Sequence, residues 1–309
     1  MDRFIVSKQE EGERLLTFLR GRCTQASSVK AIKRAVESKA CKINGRVECF
    51  SSHILRAGDV VEFDMSKLSA SLKTKTSLDL SILYEDEELL ICDKPPGIVC
   101  HNDEFNKRLP RFRGRLQLIH RLDKETSGAI LLSKNENIVE EMIALFRAKK
   151  VEKTYVAIVD GAMHRSKGVI DTFLTKKHAY QGQSIYGSAP RGQHAITYWK
   201  CLKRGKSLSF VLLKPLTGRT HQLRVHLSEC GHPILGDYQY AKTFSCPFTP
   251  QRHLLHAYRL RFCHPHTKND IDVFAPIPKD FFDEGLKKIL EVNEIPKDQL
   301  FWEDEIFNR

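Results

Sequence analysis

The 309-residue sequence has no stretch of 18 apolar residues, so no membrane-spanning helix is expected from it. Its opening, Met1 to Leu16, has acidic residues early and no apolar core ending in a small-residue cleavage site. Neither a secretory signal nor an Arg-rich, acid-poor transit peptide is expected there. Cys-x-x-Cys is missing as well. The cysteines (Cys23, Cys41, Cys49, Cys92, Cys100, Cys201, Cys230, Cys246 and Cys263) are odd in number and scattered, which argues against a disulfide framework and fits a reducing cytoplasm. Cys263, His264 and His266 lie close together, but Pro265 stands between the histidines and no second ligand cluster exists, so zinc is not expected. No internal repeat or low-complexity tract is present. Acid is scarce relative to base, with 38 Asp and Glu against 50 Lys and Arg, a formal net charge of +12. That surplus favours a polyanionic partner, because clustered cations release counterions from phosphates, although a soluble protein can also simply be basic.

Two segments of different character follow one another. Residues 1–64 read as a small α+β module. Leu15, Leu16, Phe18 and Leu19 have helical spacing, and Ser27 or Ser28 can cap a second helix whose buried face is Val29, Ile32, Ala35 and Val36. Lys30, Lys33 and Arg34 share another face of that helix, as a basic RNA contact or a solvated surface. Asn44-Gly45 between alternating residues predicts a type I′ hairpin over Cys41 to Cys49, and Gly58-Asp59 precedes a short strand, Val60 to Phe63. Residues 65–78, rich in Ser, Lys and Thr, read as a linker. From residue 79 to the end, short strand-like runs recur: Leu80 to Tyr84, Leu89 to Cys92, Ala129 to Ser133, Tyr155 to Val159, Ile196 to Cys201 and Leu208 to Leu213. Helices are predicted over Asn137 to Phe146, Thr220 to Glu229 and Asp280 to Val292. Strands and helices do not alternate, so the expected class is α+β, a mixed and mainly antiparallel sheet flanked by helices.

Three segments carry chemistry. In His120-Arg121-Leu122-Asp123-Lys124-Glu125-Thr126-Ser127-Gly128, an Asp lies in a loop that feeds an apolar strand. It is either a nucleophile or general acid/base, or a turn former bonding its own backbone. Thr217-Gly218-Arg219-Thr220-His221-Gln222-Leu223-Arg224-Val225-His226 opens a helix after a Gly turn, with cations near its start that suit a phosphate or hold a carboxylate ionised. Glu152-Lys153-Thr154-Tyr155 puts an aromatic at the head of an apolar strand, to stack on a base, move a proton or fill the core.

Together these segments resemble the RluA-type pseudouridine synthases. His120 to Gly128 is similar to the family's His-Arg-Leu-Asp-x-x-Thr-Ser-Gly motif, Glu152 to Tyr155 to its Tyr motif, and Thr217 to His226 to its Gly-Arg-x-His-Gln-x-Arg-x-His motif. Gly231 to Asp237 follows as in the family, while Leu83 to Gly97 and Leu255 to Pro276 match its opening and closing strands, so the resemblance covers about residues 80–283. Residues 13–64 resemble the small RNA-binding module of small-subunit ribosomal protein four. The resemblance implies that Asp123 is the catalytic Asp. It implies that Tyr155 stacks on the target base and abstracts the carbon-five proton, and that Arg224, rather than Arg219, pairs with the carboxylate. Arg121 would enter the RNA and displace the uridine, with Arg219 and His221 as further RNA contacts. It implies no metal, nucleotide or redox cofactor, a monomer, and as partner an RNA, either ribosomal RNA, free or within pre-ribosomal particles, or transfer RNA. Residues 102–116 depart from the family: a short basic loop with Phe105 and Phe112 among Lys107, Arg108, Arg111, Arg113 and Arg115, expected to touch RNA. A catalytically silent ribosome-assembly factor would have lost one of Asp123, Tyr155 and Arg224, yet all three are present. A glycosylase or nuclease would release uracil or cut the strand.

Overall fold

The computed structural model describes residues 1–23, 28–68, 80–180, 183–241, 243–291, 300 and 302. They fall into two compact units, one of residues 1–77 with 176–186 and 238–243, the other of residues 78–175, 187–237 and 244–309. Among the described residues no helix is long and apolar enough to cross a membrane.

The first unit contains β1 (Asp2–Ile5), α1 (Leu15–Arg22), α2 (Val29–Glu37), β2 (Cys41–Ile43), β3 (Arg46–Glu48) and β4 (Val60–Phe63), with sheet order β1-β4-β2-β3. The β2–β3 turn is formed by Asn44 and Gly45 at φ 52° and 77°, the pair of positive values that a type I′ turn requires. Asn44 also reaches sideways: its side chain donates to Asp59 at 2.9 Å and accepts from the Val60 backbone at 2.8 Å, pinning β4 to the hairpin. Ser28 caps α2 by accepting from the Ala31 amide. Ile32, Ala35 and Val36 are buried as expected, but Val29 is 43% exposed, because the core that covers this face begins at Ala31. Lys33 and Arg34 lie exposed on the opposite side, while Ser27 and the Lys30 side chain lie outside the described residues. Leu68 packs into the same core, and the rest of the segment read as a linker, from residue 69, lies outside the described residues.

The remaining elements are β5 (Ser81–Glu85), β6 (Leu89–Lys94), α3 (Asn102–Arg108), β7 (Gln117–Leu118), β8 (Ser127–Ser133), α4 (Val139–Arg147), β9 (Glu152–Asp160), β10 (Lys167–Tyr180), β11 (Gln183–Ser188), β12 (Gln193–Arg204), β13 (Leu208–Pro215), α5 (Gln222–Glu229), β14 (Leu255–Cys263), β15 (Asp270–Phe274) and α6 (Glu284–Leu290), and they belong to the second unit except for the residues of β10 and β11 between 176 and 186. The sheet runs β11-β10-β12-β13-β9-β14-β8-β6-β5, with β15 beside β14 and β7 beside β8. Every pairing with a recorded register is antiparallel except β14 with β8. The fold is therefore α+β, as the strand spacing predicts.

The apolar strands are continuous because the sheet is covered on both sides. Alternate residues feed opposite cores: Leu89 and Ile91 of β6 join Ala129 and Leu131 of β8 under α4, while Leu90, Cys92, Ile130 and Leu132 pack with Phe105 on the other face. Further along, Val156 and Ile158 of β9 face one core and Ala157 and Val159 another.

The segment 102–116 differs from the expected loop. Asn102 to Arg108 is helical, and Phe105 is wholly buried, so it cannot interleave with RNA. Phe105 and Leu109 are four residues apart on a buried face, Asp103 and Glu104 start the helix and Lys107 and Arg108 end it, and Glu104 pairs with Arg108 at 2.7 Å. That charge order follows the helix dipole and stabilises a short helix that a count of basic residues alone does not reveal. Arg111 stacks on Phe112 and pairs with Glu85, while Arg113 and Arg115 are exposed.

At the start of β8, Gly128 has φ +111°, and a Cβ added there would stand 2.2 Å from the Ala257 carbonyl oxygen on the parallel neighbour β14. Gly128→Ala should therefore cost about 2–5 kcal/mol, combining strained backbone with overpacking. Thermal melting checks this; an unchanged midpoint would mean that β8 and β14 separate there without cost.

Candidate active site

Asp123 stands in the connection from β7 to β8, and contacts of five residues fix that connection. The His120 ring accepts the Leu131 amide through Nε2 at 3.0 Å and stacks on Phe146 with centroids 5.1 Å apart. Burial pushes this imidazole down to about 3, so at neutral pH it is an uncharged acceptor. The Leu122 amide donates to Cys100 Sγ at 3.3 Å. The Lys124 carbonyl accepts from the Gly97 amide at 2.8 Å and from Lys94 Nζ at 3.1 Å. The Glu125 carbonyl accepts from Arg252 Nη1 at 3.1 Å. Thr126 Oγ1 lies 2.9 Å from His253 Nε2.

Lys94 and Arg252 are thus two buried cations gripping consecutive carbonyls. Lys94 is 0% exposed and also donates to the Pro95 and Ile98 carbonyls at 3.1 and 3.2 Å, and burial lowers it to about 8. Arg252 is anchored by Asp280, with Nε to Oδ2 at 2.6 Å. Sequence reasoning assigns neither residue a role. The available signal is a lysine ending the apolar run of β6, a position that a charge occupies only when partners await it.

The opposite wall comes from the turn after β13 and the start of α5. Gln222 is buried and ties the turn to β12: its Oε1 accepts from Thr217 Oγ1 at 2.7 Å and the Arg219 amide at 3.0 Å, and its Nε2 donates to the Ile196 carbonyl at 3.0 Å. His226 lies between Thr197 and Thr172 at 2.9 and 3.0 Å, and burial takes it down to about 4. These two motif residues shape the backbone, and the cleft is left to Arg219, His221 and Arg224.

Arg224 is the centre of the site. It is 5% exposed and donates Nε and Nη2 to the two Asp237 oxygens at 2.7 and 2.8 Å, a bidentate pair buried on both sides. Its remaining Nη1 reaches Asp123 Oδ2 at 3.1 Å. One guanidinium therefore joins a buried carboxylate, which fixes its plane, to a partly exposed one, which it presents to the cleft. His221 Nε2 is 3.8 Å from Asp123 Oδ1, and burial first, then Arg224, lowers the histidine. Asp237 ends the segment that begins at Gly231, and nothing local in the sequence marks it as the partner of a residue on α5.

The cleft has a volume of about 310 Å³, and its lining includes Asp123, Arg121, Lys153, Tyr155, Arg219, His221 and Arg224. Burial first, then the Asp123 charge, push the Tyr155 phenol far up, so it is protonated at any physiological pH. The structure thus brings Asp123, Tyr155, Arg224, Arg121, Arg219 and His221 to one cleft. Arg111, Arg113 and Arg115 do not line it, and Lys33 and Arg34 belong to the first unit. Among the described residues no set of three His, Cys, Asp or Glu side chains converges as a metal site.

The sequence model of the RNA pseudouridylate synthase family matches residues 88–229. The chain is similar to the ribosomal large subunit pseudouridine synthase C of Vibrio vulnificus (strain CMCP6), 31% identical over 307 residues that cover 93% of this chain and 94% of that one. It is 31% identical to the protein of the same name from Pasteurella multocida (strain Pm70), over 92% of this chain and 91% of that one. Among solved structures, human RNA pseudouridylate synthase domain containing 1 superposes with a TM-score of 0.59 at 30% identity, covering 70% of this chain and 90% of that one.

Proposed function

We propose that this chain, which belongs to the RNA pseudouridylate synthase family and is of its RluA type, acts on uridines of large-subunit ribosomal RNA with Asp123 as its catalytic carboxylate. The chain is an RNA pseudouridine synthase, an isomerase that turns uridine into pseudouridine. The ribosomal substrate follows from the names of its relatives. The observation that carries the role of Asp123 is the Arg224 bridge, which holds that carboxylate in place in the cleft.

The chemistry breaks the N-glycosidic bond, turns the uracil and rejoins it through carbon five. A stacked uridine cannot present that bond, so the nucleotide must leave its helix at a cost of about a few kcal/mol. In this reading Arg121, exposed on the Asp123 loop, takes the vacated place in the RNA. Asp123 acts on the displaced nucleotide to start bond cleavage, and Tyr155 lies under the base. Because the phenol is protonated, its abstracting the carbon-five proton requires it first to give up its own; the neutral ring stacks without that requirement. The reaction needs no electron carrier, since substrate and product are isomers and no net oxidation or reduction separates them.

The test is a map of pseudouridines in total RNA from cells lacking this protein and from the same cells carrying it again. Sites in large-subunit ribosomal RNA should vanish and return. Loss confined to transfer RNA would move the substrate, and no change in any RNA would count against the reading.

The first unit is proposed as a second grip on the RNA, through Lys33 and Arg34 on α2. Reversing both charges (Lys33→Glu with Arg34→Glu) should weaken ribosomal RNA binding and reduce the salt slope by about 0.7–0.9 for each phosphate no longer neutralised. Turnover of a short stem-loop should be spared. Equal affinity for long RNA in the double variant would assign that face to solvent.

A further inference from the structure

Lys153 lies in the cleft with no anionic partner among the described residues. It sits on β9 two residues before Tyr155, so the strand's alternation turns both side chains to the same side, while Glu152, the residue before it, points to the other side and pairs with Lys214 at 3.0 Å. Its ammonium lies 5.9 Å from the Phe146 ring centre, and a Cβ added to Gly218 would meet Nζ at 3.6 Å. Among the described residues no carboxylate pairs with it and no carbonyl accepts from it. A half-buried ammonium with neither is costly, and proteins hold such a group where a ligand will supply the missing charge.

The surroundings say which charge. Among the described residues Asp123 is the sole carboxylate lining the cleft, against Arg121, Lys153, Arg219 and Arg224. Asp123 is already engaged by Arg224, which is itself committed to Asp237. Arg219 stands next to Lys153 with its Nε on the His194 carbonyl at 3.0 Å, and its terminal nitrogens have no partner among the described residues. Gly218, next to Arg219 in the chain, has no side chain to fill the space at Lys153 Nζ. Burial and then the Arg219 charge lower Lys153 to about 8, while its other titratable neighbour, His120, is neutral. Two cations set side by side against their mutual repulsion suit an anion with several oxygens. A neutral uracil carbonyl needs one donor and no second charge.

We propose that Lys153, together with Arg219, binds an RNA phosphate adjoining the uridine held in the cleft. This rests on the reading of the chain as acting on RNA through that cleft, and makes Lys153 a substrate-binding residue of the same site. The sign of its pH dependence follows. The contact is intact while the amine is protonated and fades as pH rises through about 8, earlier than for an ordinary lysine.

The probe is a uridine dodecamer, single-stranded so that no helix need be opened. Its affinity is measured for wild type, Lys153→Met and Lys153→Arg at pH 7 and pH 9 across a range of salt. Lys153→Met should bind several-fold more weakly at pH 7, with a salt slope smaller by about 0.7, the value for one phosphate contact on a single strand. From pH 7 to pH 9 wild type should weaken more than Lys153→Arg, whose guanidinium does not titrate. Thermal melting confirms that the variants are folded. A wild-type affinity and slope in Lys153→Met overturns the proposal. So does an unchanged slope with a fall in turnover on ribosomal RNA transcript, which would put Lys153 on the base instead. If wild type forms no pseudouridine in that transcript, the functional reading fails on its own, and the slope still decides for Lys153.

Discussion

Asp123→Asn is expected to bind RNA as wild type does and to lose pseudouridine formation by about a thousandfold or more, the scale on which removal of an attacking or proton-transferring group acts. Asparagine has nearly the same shape, and its amide oxygen still accepts from Arg224. The loop does not depend on the Asp123 side chain for its form, because Lys94 and Arg252 hold its carbonyls and His120 holds its approach to β8. What disappears is the negative charge and the nucleophilic oxygen. Single-turnover conversion of the transcript, set beside its binding affinity, separates the two effects. Activity above about one hundredth of wild type would remove Asp123 from the chemistry. Loss of affinity in step with activity would make it a binding residue.

The second large effect concerns Arg224. Replacing it with Met strands Asp237, which is 2% exposed, beside an apolar side chain. Breaking a buried pair in this way costs about 3–5 kcal/mol, far more than loss of an exposed ion pair. Activity should collapse too, since Asp123 loses the cation that presents it. Arg224→Lys is no substitute, as a single ammonium cannot span two carboxylates with three directed donors. The two losses can be pulled apart. Adding Asp237→Leu to Arg224→Met removes the stranded charge and should recover much of the melting temperature while leaving pseudouridine formation absent. Recovery of both would show that Arg224 acts through stability alone, and recovery of neither would mean that Asp237 supports the fold in some further way.

Some of this is legible in the amino-acid order and some is not, for physical reasons. Asn44-Gly45 announces its hairpin because two successive positive φ values suit few other pairs. The strands β6, β8, β9 and β13 announce themselves because burial on both faces makes them continuously apolar. The long strand β10 does not, since its described residues are mostly partly or fully exposed and it carries lysines and a histidine, so no apolar run marks it. At the site, it is the resemblance of the motifs to the RluA family that singles out Asp123, Tyr155 and Arg224. The residues that hold them do not show, because Lys94, Asp237 and Arg252 find their partners across the fold rather than along the chain. Asp237 lies 13 residues from Arg224, and Arg252 lies 127 from Glu125.

Those separations set a schedule. As the chain leaves the ribosome from its N-terminus, the loop bearing Asp123 emerges early, yet its carbonyl at Glu125 waits for Arg252, its hydroxyl at Thr126 waits for His253, and Arg252 waits for Asp280. Contacts closing over such distances form late. A growing chain therefore carries its catalytic motif for most of its synthesis without the geometry to use it. On this reading, an enzyme whose relatives are named for the ribosomal large subunit should be silent while the ribosome is still making it, and competent only when nearly all of the chain is free.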